Sequence, residues 1–239
     1  MTAIGIDALA AAAAAVAFAG FVQGTTGMGF ALLLAPIFAF LAPQLVPVGL
    51  LVLMIPLNVY VAWRERAALD RLGAGWITAG RLAGTSGGVW VLAALSAHYL
   101  DLMIGAATVL AAVATLLAPA FTPGRRAYVV AGLVTGVTET ATGIGGPPLA
   151  LVLQHATAPA LRSTLAFCFL VGQIVSLAFL AAAGHATPAQ FGAAIILLPA
   201  LAVGAVLSHF VHARIGGRFL RVFVLAFAIA SGVLLLIRS

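Results

Sequence analysis

Long apolar runs separated by short polar breaks dominate the chain. Read between Gly, Pro, Arg and His breakers, ten runs emerge, at 3–23, 27–41, 45–63, 76–95, 100–118, 127–140, 143–156, 161–183, 189–211 and 219–237. A helix crossing the hydrocarbon core of a bilayer needs about 20 apolar residues. The pattern therefore predicts an all-α integral membrane protein with about ten transmembrane segments. Three runs, 27–41, 127–140 and 143–156, hold only 14 or 15 residues. Residues 3–19 carry Asp7 and no Arg, unlike the positive start of a signal peptide, and are read as part of the first segment.

Composition agrees with this reading. Of 239 residues, 64% are apolar and 7% are charged, against roughly 25% charged in soluble domains. So few charges cannot cover a water-facing globule. The formal net charge of +6 comes from Arg alone. These Arg residues fall in short loops rather than on one face, which argues against nucleic-acid binding. With the N-terminus outside, Arg64, Arg66, Arg71, Arg125, Arg126, Arg162, Arg214 and Arg218 all fall in inside loops, and only Arg238 falls outside. The positive-inside rule thus predicts a multi-pass membrane protein with both termini outside, and the expected location is the bacterial cytoplasmic membrane. Trp63, Trp76, Tyr99 and Tyr128 stand at segment ends, as an aromatic belt requires.

The chain also repeats itself. Ala19-Gly20-Phe21-Val22-Gln23-Gly24 parallels Ala131-Gly132-Leu133-Val134-Thr135-Gly136, and Thr26-Gly27-Met28-Gly29 parallels Thr142-Gly143-Ile144-Gly145 after four extra residues in the second copy. Gly84 and Gly204, like Leu100 and Leu220, align at an offset of 120. Two copies of five segments, 1–121 and 122–239, enter the membrane from opposite sides. That is an inverted-topology repeat with broken, glycine-rich helices, an architecture of secondary transporters. Gly20, Gly24, Gly132 and Gly136 are read as close-packing glycines. The Thr-Gly-x-Gly turns, with Gly146, Pro147 and Pro148, are read as freed backbone lining a transport site.

These motifs resemble the sulfite exporter family, TauE/SafE, over the whole chain: Gly20 to Gly24, Gly27-x-Gly29-Phe30 to Pro36, Gly132 to Gly136, and Gly143-Ile144-Gly145-Gly146-Pro147-Pro148. The resemblance implies a membrane transporter of sulfur-containing anions such as sulfite, thiosulfate, sulfoacetate and related organosulfonates.

Candidate site residues follow from polarity at depth. Glu139 is the only acid well inside a segment. It shares a small, polar helical face with Thr135, Thr142, Gly132, Gly136 and Gly143, and is read as carrier of a coupling proton. Substrate-binding candidates are Gln23, Thr25, Thr26, Gly27, Gly29, Asn58, Thr142, Gly143, Gly145, Gly146 and Gln173. Amides donate to an anion without adding charge, though Asn58 and Gln173 equally suit interhelical hydrogen bonding. Arg81 is a secondary candidate, since it stands close enough to a helix end to snorkel. His209 and His212 have one-face spacing but no carboxylate or thiolate nearby, and no metal or other cofactor is expected. The expected partners are a small sulfur-containing anion and the lipid bilayer, with a proton or sodium ion if transport is coupled. Monomer and homodimer both stay open. No Walker, HExxH or Ser-His-Asp pattern is present, so an enzyme is not expected. The alternatives are an anion channel or a carrier of another small organic anion.

Overall fold

The computed structural model describes residues 6–26, 29–117, 122–211 and 217–238. Within them lie ten α-helices and no strand: α1 Ile6–Thr26, α2 Phe30–Leu41, α3 Val48–Arg64, α4 Arg71–Ala94, α5 Ala97–Leu117, α6 Arg125–Thr142, α7 Gly146–Val152, α8 Ala158–Ala182, α9 Pro188–Val211 and α10 Gly217–Arg238. They follow the ten apolar runs in order.

The largest departures are at α6 and α7. The sixth element is a full-sized helix of 18 residues, not a short one. It starts at Arg125, whose guanidinium lies 3.6 Å from the Trp76 ring centroid, so a charged residue extends the helix beyond the apolar run. It stops where Gly143 takes φ 79°, a left-handed C-cap open to glycine. The seventh element has only 7 residues, a rise of about 10 Å, far less than the ~30 Å hydrocarbon core. Pro147 sits in its first turn, where a missing N–H costs nothing. In the first half, Gly29 at φ 110° opens α2.

α4 lies along α6, α1 along α9, α3 against α8, and α5 against α10. Glycines set the first two contacts. A Cβ on Gly80 would overlap the Val129 carbonyl oxygen and stand 2.9 Å from the Leu133 nitrogen. One on Gly204 would overlap the Ala17 carbonyl oxygen and stand 2.9 Å from the Phe21 nitrogen. Gly132 meets Ile77 O and Arg81 N, while Gly20 meets Leu201 O and Ala205 N. The packing role expected for Gly20, Gly24, Gly132 and Gly136 is what the helices use. The contacts pair Gly204 with Gly80, one turn earlier than the Gly84 that simple sequence offset picks.

α8 and most of α9 are long and apolar enough to cross a membrane. Trp63, Leu72, Trp90, Leu110, Ile196 and Phe210 present large apolar surfaces to the outside, as a lipid-facing protein does and a water-facing one avoids. Inside, Phe30, Leu33, Leu34, Phe38, Leu50 and Leu53 form the centre of the largest apolar cluster.

Candidate functional site

The polar interior gathers where α4, α6, α8 and α3 meet. Arg81 of α4 and Glu139 of α6 are buried, with 1% and 0% of their side-chain surface exposed, and form an ion pair through Arg81 Nη2 and Glu139 Oε2. Glu139 Oε1 accepts a hydrogen bond from Gln173 Nε2 at 3.0 Å. Gln173 Oε1 accepts in turn from Asn58 Nδ2 at 3.0 Å. One chain of contacts thus runs from α3 through α8 and α6 to α4. Nearby, the Thr140 and Ser176 hydroxyls lie 2.7 Å apart, tying α6 to α8 again.

The guanidinium is held by shape as well as charge. The Phe169 ring centroid lies 5.4 Å from Arg81 Cζ. On α8, a Cβ at Gly172 would overlap the guanidinium, so only glycine leaves Arg81 its place. Arg81 Nε and Nη1 are buried and meet no hydrogen-bond acceptor among the described residues. Unpartnered N–H groups on a buried cation are costly unless an acceptor meets them, and guanidinium N–H groups match the oxygens of a carboxylate, sulfonate or phosphate.

Gly145 closes the other side. Its Cβ would stand 2.8 Å from Glu139 Oε2, and its carbonyl accepts from Thr135 Oγ1 at 3.1 Å. Thr142 Oγ1 donates to Thr138 O at 2.7 Å and accepts from Ile144 N at 3.2 Å, which ties the turn to α6. Gly143 packs on Leu50 of α3. Gly146 begins α7 with open space where its side chain would be.

The first motif does different work. Gln23 Oε1 accepts from Phe30 N at 3.1 Å and so caps α2. Thr25 Oγ1 donates to Val22 O and Phe21 O of its own helix, at 2.8 and 3.1 Å. Thr26 is the last residue of α1, Gly29 caps α2, and Gly27, like His212, lies outside the described residues. Gln23 and Thr135, matched in the repeat, each bridge from a long helix to the short one after it.

Arg81 does not snorkel. It stands ten residues into α4, turned inward onto Glu139, because the acid it neutralises is across the α4–α6 contact. Arg81 and Glu139 pair because an isolated charge at bilayer depth costs about 2.5–3.5 kcal/mol on insertion scales. The acid at depth is a signal the sequence carries. Gly172, Phe169 and Ser176 gave none, being ordinary residues of an apolar helix.

A pocket of about 350 Å³ borders Ala141 of α6, two residues beyond Glu139, and is lined also by Leu100, Asp101 and Ile104 of α5.

Apolar helices with outward-facing hydrophobic surface, closed around a buried ion pair, define a membrane-embedded helical protein with a polar interior. The model of the family described as Sulfite exporter TauE/SafE matches residues 12–235, and the chain belongs to that family. It is a family of membrane transporters for sulfite and related anions. No curated protein and no solved structure matches the chain.

Proposed function

We propose that this protein is a secondary transporter that carries a small sulfur-containing anion across the bacterial cytoplasmic membrane, with Arg81 as the group that meets the anion. The observation that carries this reading is the buried guanidinium, held against Glu139, whose Nε and Nη1 meet no acceptor among the described residues. Gln173 and Asn58 supply neutral amide groups beside it, and Glu139 is the proton carrier. Sulfite, thiosulfate and organosulfonates are the substrate class.

The two halves, 1–121 and 122–239, form an inverted repeat of five elements each. Exchange of the halves turns the α4–α6 contact into the α9–α1 contact and returns α3–α8 and α5–α10 to themselves, which supports the reading. Gly105 and Gly232 support it too, since a Cβ on either would stand 2.9 Å from the carbonyl oxygen of the other. Both termini lie outside, as the Arg distribution requires. The pocket at Ala141 and Asp101 is the approach to the site from that side.

Flux into proteoliposomes tests the proposal. Saturable exchange of labelled sulfite or a sulfonate against the same anion inside is expected, with loss of exchange in Arg81→Ala/Glu139→Gln. Large, non-saturating currents identify a channel, and absence of flux for every sulfur anion refutes the reading.

A further inference from the structure

Arg81 and Glu139 are the only charged side chains buried among the described residues. Together they carry no net charge. The guanidinium is confined between Glu139, Gly172 and the Phe169 ring, and its Nη2 corner is already occupied by the Glu139 carboxylate. A second anion drawn to Arg81 while Glu139 is ionised leaves one uncompensated negative charge in a low-dielectric interior, which is strongly disfavoured. A proton on Glu139 removes that charge.

We propose that a singly charged anion and one proton occupy this site together, the anion replacing the Glu139 carboxylate on Arg81. This rests on the reading of Arg81 as the anion's seat. The step balances: an O–H bond of hydronium or of the buffer acid breaks, its proton forms an O–H bond at Glu139 and its conjugate base stays in solution, the ionic contact with Arg81 breaks, and the anion's oxygens take its place. Before and after, the site sums to zero. The protonated carboxyl also becomes a hydrogen-bond donor beside the guanidinium. A single cation and a single proton acceptor balance a monoanion, so hydrogensulfite and monosulfonates fit. Sulfoacetate, thiosulfate and the sulfite dianion leave a buried negative charge over and are expected to be the weaker-bound members of the substrate class.

The groups that face Glu139 are few. α4 presents Arg81, and α8 presents Gln173; the Cys168 thiol of α8 donates instead to the Ala74 carbonyl of α4. α3 contributes only Met54 and Asn58, reached through Gln173. α7 has no titratable residue, and the Asp101 carboxyl of α5 borders the pocket against Ala141. Glu139 is the group in this set placed to exchange a proton against an anion on Arg81.

The test is calorimetric titration of the full chain in detergent with methanesulfonate, a monoanion, between about pH 5 and pH 10, in buffers of differing ionisation enthalpy. The expected result is uptake of about one proton per anion bound at the alkaline end, with affinity falling about tenfold per pH unit there. Glu139→Gln is expected to bind without proton uptake and without that pH dependence. Arg81→Ala/Glu139→Gln, which buries no lone charge, is expected to elute as a single species and to bind nothing. Ethane-1,2-disulfonate, a dianion, is expected to bind far more weakly than methanesulfonate. Binding without proton uptake, an unchanged pH profile in Glu139→Gln, or binding by the double variant equal to that of Glu139→Gln overturns the inference and leaves the transport reading standing. A wild-type chain that binds no sulfur anion at any pH overturns both.

Discussion

The α4–α6 and α1–α9 contacts use corresponding glycines and opposite chemistry. In both, a glycine of the later helix of each half, Gly80 or Gly204, rides on a carbonyl and an amide one turn apart, Val129 and Leu133 or Ala17 and Phe21. In both, Gly132 or Gly20 meets a carbonyl and an amide four residues apart, Ile77 and Arg81 or Leu201 and Ala205. By these contacts Arg81 stands where the other seam has Ala205. Glu139 has no counterpart, because it lies in the four residues by which the second copy is longer. Four residues are about one turn of helix, so α6 is extended past Gly136 by the turn that carries the acid. The two helix pairs thus share a glycine framework, and only the α4–α6 pair carries the buried charges. Close glycine contact supplies the framework, and one substitution with one added turn supplies the charge pair.

The sharpest way to break this comparison is to unload one member of the pair. Arg81→Ala leaves Glu139 buried without a cation and is expected to cost about 3–5 kcal/mol, seen as a collapse of the melting temperature in detergent. Adding Glu139→Gln should restore most of the loss. If the single variant is as stable as the double, the pair is not what neutralises the interior. Next in size are the glycines. Gly80→Ala and Gly204→Ala each press a methyl group into backbone that has no side chain to yield, and about 1–3 kcal/mol is expected for each. Similar losses sharpen the equivalence of the two seams. A large effect at one and none at the other breaks it.

Smaller effects lie at the edges of the loaded seam. Asn58→Ala removes the donor to Gln173, a loss of about 1 kcal/mol for an interhelical bond in a membrane, and is expected to weaken sulfonate binding without changing proton uptake. Smallest is a clasp outside the apolar interior. Glu65 joins the end of α3 to α8, accepting from Arg162 Nε at 3.0 Å and from Arg64 Nη2 at 2.7 Å. Burial works against its ionisation, but the hydrogen bonds and charges of Arg162 and Arg64 outweigh it and hold the carboxyl below its ordinary range. A depressed carboxyl contributes stability above its unfolded pKa of about 4.3, and loses it as pH falls through the folded value. The wild type should therefore lose melting temperature more steeply than Glu65→Gln below about pH 4.3, with the advantage present at pH 7. Parallel curves refute the clasp.

Much of this architecture is legible in the sequence because lipid makes apolar length informative. The ten helices follow the apolar runs, and the glycines at Gly20, Gly24, Gly132 and Gly136 declare close packing by spacing alone. Glu139 is visible as an acid where none belongs. Asn58 and Gln173 are visible as amides, though their bond to each other depends on how α3 crosses α8. The length of α6 is not legible, because Arg125 lies outside an apolar run yet continues the helix over the Trp76 ring. The inward turn of Arg81 is hidden for a related reason. Distance from a helix end is a sequence quantity, whereas the direction its side chain takes is decided by the acid across the seam. Gln23 of the first motif is visible as an amide in an apolar run, though its bond to Phe30 N depends on where α2 begins.

The central claim, one anion seat on the loaded seam and none on the other, is tested most directly by locating a bound anion. A crystal of the chain grown in 2-bromoethanesulfonate allows the bromine to be found by its anomalous signal. The account predicts one peak in the protein interior, beside the Arg81 guanidinium and Gly172, lost in Arg81→Ala/Glu139→Gln. A peak between α1 and α9, near Gly24 and Ser208, or an interior peak that persists in the double variant, contradicts it.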